Sequence, residues 1–476
     1  MLCRVLVYLP LFVVSLLLCD AAAMVSTSDD QKALSLTVYS SNLALIRDVR
    51  RVELLDGEKR LSFEGISPKI LPATAVLKGE GLNVIEQNYE FDLLSPQALL
   101  QKYVGSEVTI VRKNEKTGEE YHVKAVILSN VNGVVLQVED HIETDIDGRI
   151  LYPGIPETLR DKPTLTMLLD GDGVTLEQVE LSYLTEGLSW KADYVAELNE
   201  AEDRVDLQGW VTVINNSGID YRDAELQLIA GEVHRAEPQR EMMSFAAADM
   251  AQPRRAENNK EMRRESMFEY HLYTIERMTS LLANQSKQIS LLRENGVVSK
   301  EMVLESPNQN YYWSRIGQIE KDVGVEIFLQ IKNDAESNFG SPKPAGTVRV
   351  YKQDSSGFAQ FIGEDGIDHT PENELIEIQL GRSFDVTADR IQTDFTIIKG
   401  ENDQSRVFES GYEITLKNGK DQPVVVNVKE NLPGDWEILE ETLSHQKENA
   451  TTVSWKVKVD AKDSNILRYR VRYVMR

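Results

Sequence analysis

Apolar and polar residues alternate along most of this chain, most clearly from Lys287 to Arg476, and a period of two is the signature of half-buried strands. Val325, Ile327 and Leu329 fall on one face, as do Val424, Val426 and Val428, and Trp455, Val457 and Val459. The last run sets Leu467, Tyr469, Val471 and Tyr473 against a row of Arg468, Arg470 and Arg472. Asn418-Gly419 and Pro433-Gly434 supply turns between runs. Sheets with one apolar face must cover it, so the expected fold is mainly β, built from packed antiparallel sandwiches of immunoglobulin-like type. The arginine row reads as a solvated strand face paired with neighbouring carboxylates, with an anion site as the alternative.

A chain of 476 residues exceeds one core, and its punctuation suggests several domains. Residues 24–94 read as an N-terminal β segment with turns at Gly57, Gly65, Pro68 and Pro72. Residues 95–158 open on a helix, SPQALLQKYVG, with Ser95 as N-cap, Pro96 in the first turn and Gly105 at the C-terminal cap. About five short strands follow, which suggests a small SH3- or Sm-like barrel inserted between its neighbours. Residues 159–234 carry longer strands and form a β-sandwich segment that can pack with 24–94. Residues 235–266 mix seven Lys/Arg with six Asp/Glu without sustained periodicity, as a disordered linker does. Residues 267–476 form the C-terminal β-sandwich domain.

The first 23 residues have the pattern of a secretory signal: Arg4, the apolar run VLVYLPLFVVSLLLC, then Ala21-Ala22-Ala23. The run is short for a membrane span and contains Pro10. Cleavage after Ala23 is expected, giving a periplasmic or secreted protein with no transmembrane segment in the mature chain. The only cysteines, Cys3 and Cys19, lie in this stretch, so the mature chain would have neither a disulfide nor a thiol nucleophile. Lipid attachment at Cys19 is disfavoured because Leu16-Leu17-Leu18 precede it where lipoprotein signals place small residues.

With 77 acidic and 52 basic residues the net charge is −25, which repels phosphate backbones and anionic lipid and argues against a nucleic-acid partner. The G-x-S-x-G, G-x-x-x-x-G-K-[ST], G-x-G-x-x-G and H-E-x-x-H motifs are all missing, and no cofactor is expected. Glu143, Asp145, Asp147 and Gly148 fit the first half of a calcium-loop register, but its twelfth position is Gly154, so a solvated acidic hairpin is the better reading. The densest constellation is GEDGIDHTPENE, which gathers Glu364, Asp365, Asp368, His369, Glu372 and Glu374. Such groups could hold a divalent cation or supply acid and base. The preferred reading is a polar connection in which His369 or Thr370 satisfies backbone groups around Pro371. Asp385 would join this loop if two strand ends adjoin.

The strings LSYLTEGLSWKADYVAEL, GWVTVINNSGIDYRDAELQLIAGEV, GSPKPAGTVRVY, IGEDGIDHTPENE and LGRSFDV resemble a family of exported bacterial proteins. The C-terminal half of that family is a domain of unknown function, shared with mucoidy-inhibitor-like proteins. The resemblance brings no activity. Those relatives carry a long coiled coil between their halves, a place held here only by the linker and EYHLYTIERMTSLLANQ. The expected role is a non-enzymatic envelope protein that binds or scaffolds a protein or glycan. The alternatives are a hydrolase of an envelope glycan or peptide acting through acidic residues near His369, and a pilus- or adhesin-like assembly subunit.

Overall fold

In the computed structural model, the described residues are 24–475 without 54–59, 91, 145, 157–158, 171–177, 232, 235–261, 268–269, 308, 313 and 400–405. Among them regular structure is almost all strand, Pro96–Lys102 is the one α-helix, and no helix is long and apolar enough to cross a membrane. The stretch 1–23, with Cys19 and the Ala23 cleavage point, lies outside the described residues, as do 235–261 of the expected linker. Residues 262–266 of that linker belong instead to the strand Met262–Met267.

The strands form two compact units that interleave along the chain. Unit 1 holds the chain up to Ser189 with Ile214–Leu228 and Thr274–Ser286, and unit 2 holds Trp190–Val213, Ile229–Tyr273 and Lys287–Arg476. In unit 1, Gln31–Tyr39 and Leu43–Arg50 form a hairpin whose turn places Asn42 at φ 55°, a conformation asparagine tolerates. Val179–Glu186 pairs antiparallel with Leu43–Arg50, so strands from 24–94 and 159–234 share a sheet. A second sheet runs Met24–Ser26, Arg60–Glu64, Thr164–Asp170, Asn83–Glu90. Buried Arg50 ties the two sheets together. It bonds Asp48 at 2.8 Å and donates to the carbonyls of Ser26 and Glu64, which satisfies a charge that burial alone would penalise.

The expected small barrel does not close. Its strands form an open sheet in the order His141–Glu143, Val135–Val138, Glu120–Ser129, Glu107–Lys113, Arg149–Leu151. Both edge strands have three residues, too few for a closing ladder. Leu100 and Tyr103 from the helical segment cover the core of Val108, Ile110, Ala125, Ile127, Leu136 and Val138 instead. The helix carries the expected N-cap, with Ser95 Oγ accepting from the Ala98 N–H at 3.0 Å, but its C-cap is Tyr103 rather than Gly105, whose N–H donates to Ile127 O at 2.7 Å. The segment leaves and returns at one point, where the Leu94 N–H donates to Arg160 O at 2.8 Å and the Arg160 N–H to Asp92 O at 3.0 Å.

Unit 2 contains a nine-stranded sheet in the order Asp435–Glu441, Ser464–Met475, Arg406–Asn418, Leu375–Lys399, Gln318–Lys332, Ser299–Glu305, Val424–Asn431, Thr452–Val459, Gln446–Lys447. All its pairings are antiparallel except Ser299–Glu305 with Val424–Asn431. Strands far apart in this order meet face to face. Trp455 stacks on Tyr469 at 4.7 Å, and the Trp455 indole donates to Glu441 at 2.9 Å. The sheet thus curls over itself and encloses one apolar core, the sandwich-like arrangement that the alternation demands. A five-stranded sheet in the order Gln285–Val297, Arg204–Asn215, Leu188–Leu198, Gly346–Gln353, Ala359–Ile367 contributes further strands to this unit.

Candidate functional site: an acidic cavity backed by a buried arginine

The constellation that is densest in sequence is dispersed by the fold. Glu364 and Asp365 are not in a loop but in the strand Ala359–Ile367, where they pair with Arg349 and Val348. Glu364 bonds Arg349 at 3.0 Å. The Asp365 carboxylate accepts from the N–H groups of Gly366 at 2.8 Å and Gln379 at 2.9 Å. His369 Nδ1 accepts from the Ala345 N–H at 3.1 Å, and Thr370 Oγ1 donates to Asp368 O at 2.9 Å. Asp368, His369, Glu372 and Glu374 are exposed, and the Glu374 carbonyl accepts from the Asn333 N–H at 2.9 Å. Asp385 does not join them. It lies on the long strand Leu375–Lys399, its carbonyl accepting from the Gly419 N–H at 2.7 Å.

The other sequence candidates are tied to local partners. Glu143 pairs with Arg112, Gly148 lies where a Cβ would meet the Val111 carbonyl, and Asp145 lies outside the described residues. The arginine row is charge-paired across strands: Arg468 to Glu413 at 2.6 Å, Arg470 to Asp394 at 2.5 Å and Arg472 to Glu409 at 2.6 Å. Among the described residues no group of three or more His, Cys, Asp or Glu is placed to hold a metal ion.

Convergence occurs elsewhere, inside unit 2. Arg390 and Glu430 are both fully buried, with guanidinium and carboxylate 3.0 Å apart. On the long strand, Val386, Ala388, Arg390 and Gln392 share the inward face, so the ladder carries a guanidinium into the core. On Val424–Asn431, the face of Val426 and Val428 continues to Glu430. The short 3-10 turn Gln309–Tyr312 adds two phenols. Both hydroxyls donate to Glu430 Oε2 at 2.6 Å and stand 2.7 Å from each other. Arg390 also donates to the Glu305 carbonyl at 3.2 Å and bonds Glu320, its cross-strand neighbour, at 2.5 Å.

Burial, reinforced by the Glu430 charge, pushes both phenols far above the ordinary tyrosine range. Burial opposes the charge on Arg390, but Glu430, Tyr311 and Glu320 outweigh it and hold the group protonated. Glu320 is the informative member. Burial raises its pKa, Arg390 opposes the rise, and Glu430, which occupies another part of the same guanidinium, adds to it.

Glu320 also faces a cavity of about 490 Å³, within the size range of ligand pockets. Glu305, Glu326 and Arg382 line it with Val303, Leu304, Ser306, Pro307, Val323 and Gly324. Arg382 is engaged by Glu326 at 3.0 Å, so three carboxylates face one guanidinium that is already paired. The wall depends on a bulge. Gly324 pairs with Thr387 and Glu326 with Arg382, so residues 383–386 loop out opposite Val325. A Cβ on Gly324 would stand 2.4 Å from the Ser383 carbonyl, which makes glycine necessary there. Ser383 Oγ accepts from the Val386 N–H at 3.0 Å and fixes the bulge, which displays Phe384 with 95% of its surface exposed.

A family described as a domain of unknown function, DUF4139, matches residues 179–474, more than half of the chain, and the protein belongs to that family. The match takes in all of the cavity and the buried network. A comparison with curated proteins finds no match.

Sequence reasoning missed Glu305, Glu320, Glu326, Arg382, Arg390 and Glu430. Part of the signal was available: one further step along the Val424, Val426, Val428 face puts a glutamate at a core position, and Ala388, Arg390, Gln392 does the same for an arginine.

Proposed function

We propose that this protein is exported, with its N-terminal apolar stretch removed after Ala23, and acts in the cell envelope by binding a protein partner through unit 2 rather than by transforming a substrate. The observation that carries this reading is the cavity bounded by Glu305, Glu320 and Glu326: Arg382 pairs with Glu326 and Arg390 with Glu320, while Glu305 has no ion pair among the described residues. Its excess of negative charge and apolar wall suit a lysine or arginine side chain: carboxylates take the head, and Val303, Pro307 and Val323 pack the stem. Exposed Phe384 on the adjoining bulge offers an aromatic anchor of the kind that dominates protein interfaces. The resemblance of several strings to a family of exported bacterial proteins supports an envelope setting.

Titration calorimetry with an arginine- or lysine-bearing peptide tests the reading. Binding should weaken by about tenfold in Glu305→Gln, the loss of one charge-assisted hydrogen bond. Equal affinity of wild type and variant, or no binding of either peptide, sinks it. A hydrolytic reading draws on one observation, the raised pKa of Glu320, which suits a general acid. The 2.5 Å bond to Arg390 keeps that carboxyl engaged, which favours binding over proton transfer. Turnover of an envelope glycan that disappears in Glu320→Gln would establish the hydrolase instead.

A further inference from the structure

A second charge cluster in unit 2 runs against the composition of the chain. Lys300 opens the strand Ser299–Glu305, and Lys420 lies in the turn before Val424–Asn431. The parallel register of these strands, Met302 beside Val426, sets the start of one beside the turn that precedes the other. Lys352, near the end of Gly346–Gln353, reaches the same place through Glu202, whose carboxylate bonds Lys352 at 2.5 Å and Lys300 with its other oxygen.

Glu202 is positioned for this role by its hairpin. It adopts φ 61°, and its N–H donates to Asn199 O at 3.2 Å. Asn199 Oδ1 accepts from the N–H groups of Asp203 and Arg204 at 3.1 Å. The Lys420 turn is also held, by Gly419 N–H to Asp385 O at 2.7 Å and Lys462 N–H to Lys420 O at 3.1 Å. Among the described residues the half-buried Lys420 ammonium has no hydrogen bond or ion pair. Burial and then the charge of Lys300 lower its pKa, with Lys352 adding to this and Glu202 and Asp385 opposing. Two of the three ammonium groups therefore share the one Glu202 carboxylate, and among the described residues no carboxylate is bonded to the third. The surplus is positive in a protein of net charge −25.

We propose that Lys300, Lys352 and Lys420 form an oxyanion site that takes a phosphate group, with Glu202 as the fixed counter-ion that orders two of the lysines and Lys420 as the open donor. An incoming phosphate supplies the acceptors that Lys420 lacks and relieves the crowding of like charges. The site is separate from the acidic cavity and does not depend on its ligand.

The test is calorimetric titration of the full chain with inorganic phosphate at low ionic strength. Lys420→Gln should weaken binding by about tenfold or more. Glu202→Gln should strengthen it by removing the competing carboxylate, provided thermal unfolding shows that variant intact. No phosphate binding by the wild type, or equal affinity in Lys420→Gln, overturns the proposal. Co-sedimentation with phosphatidylcholine vesicles, with and without phosphatidate, identifies the source of the group. Retention that requires phosphatidate and Lys420 assigns a lipid headgroup, whereas no retention assigns the free anion.

Discussion

Residues 364–374 and the Arg390–Glu430 cluster invite comparison because both concentrate ionisable groups, yet only one gathers them in space. In the first, six acidic and imidazole groups within eleven residues are spread over a strand and a solvated connection, where backbone amides and Arg349 engage several of them. In the second, residues from four chain segments, numbered 311 to 430, meet within hydrogen-bonding distance with almost no solvent. Proximity in sequence creates density, but only packing creates a low-dielectric site in which a charge must find a partner.

The sharpest way to break this contrast is to remove one charge from each region. Glu430→Ala leaves Arg390 and two phenols facing an empty core position and should destabilise unit 2 by about 3–5 kcal/mol, measured by urea unfolding. Asp365→Ala, which loses two hydrogen bonds to backbone groups near solvent, should cost about 1 kcal/mol. Equal losses would mean that convergence and burial do not distinguish the two regions.

Alkaline titration sharpens the comparison next. The folded-state pKa values of Tyr311 and Tyr312 lie above their unfolded values, so the stability they contribute is fully present below about pH 10 and is lost as pH rises further. The loss should approach about 1.4 kcal/mol per tyrosine for each further pH unit, and Tyr311→Phe should flatten that limb. An unchanged limb in the variant would mean that burial beside Glu430 does not suppress ionisation of the Tyr311 phenol.

Smaller effects are expected outside the core. His369→Ala forfeits the bond from the Ala345 N–H and should cost about 1 kcal/mol in urea unfolding, while added divalent cation or chelator leaves the melting temperature unchanged. A cation-dependent rise in melting temperature that vanishes in this variant would turn the segment back into a metal site. Least of all, Arg468→Ala should change stability by about 0.5 kcal/mol, since its pair with Glu413 is solvated and screened. A much larger loss would show that the arginine row is structural rather than a solvated face.

Much of the fold was legible. The inward faces of Val426 and Val428, of Trp455, Val457 and Val459, and of Leu467 to Tyr473 are the faces that alternation marked. The Ser95 cap of the α-helix was readable because a capping hydrogen bond acts over three residues, whereas the helix ends at Tyr103, before Gly105. The barrel was misread because closure depends on whether edge strands are long enough to meet. Strands of three residues at Arg149–Leu151 and His141–Glu143 leave the sheet open. The site was largely illegible, because its residues lie on separate strands that only long-range pairing brings together.

Alternation along each strand determined which side chains face inward, because successive Cβ atoms must point to opposite sides of a pleated sheet. It even determined that Arg390 and Glu430 would be buried, as the registers of their strands show. It did not determine that they would meet. That needed Leu375–Lys399, Gln318–Lys332, Ser299–Glu305 and Val424–Asn431 to become neighbours in one sheet, and that sheet to curl over the turn carrying Tyr311 and Tyr312. Pairing between distant strands is decided by which arrangement satisfies every buried charge and covers every apolar face at once, a property of the whole domain rather than of any one segment.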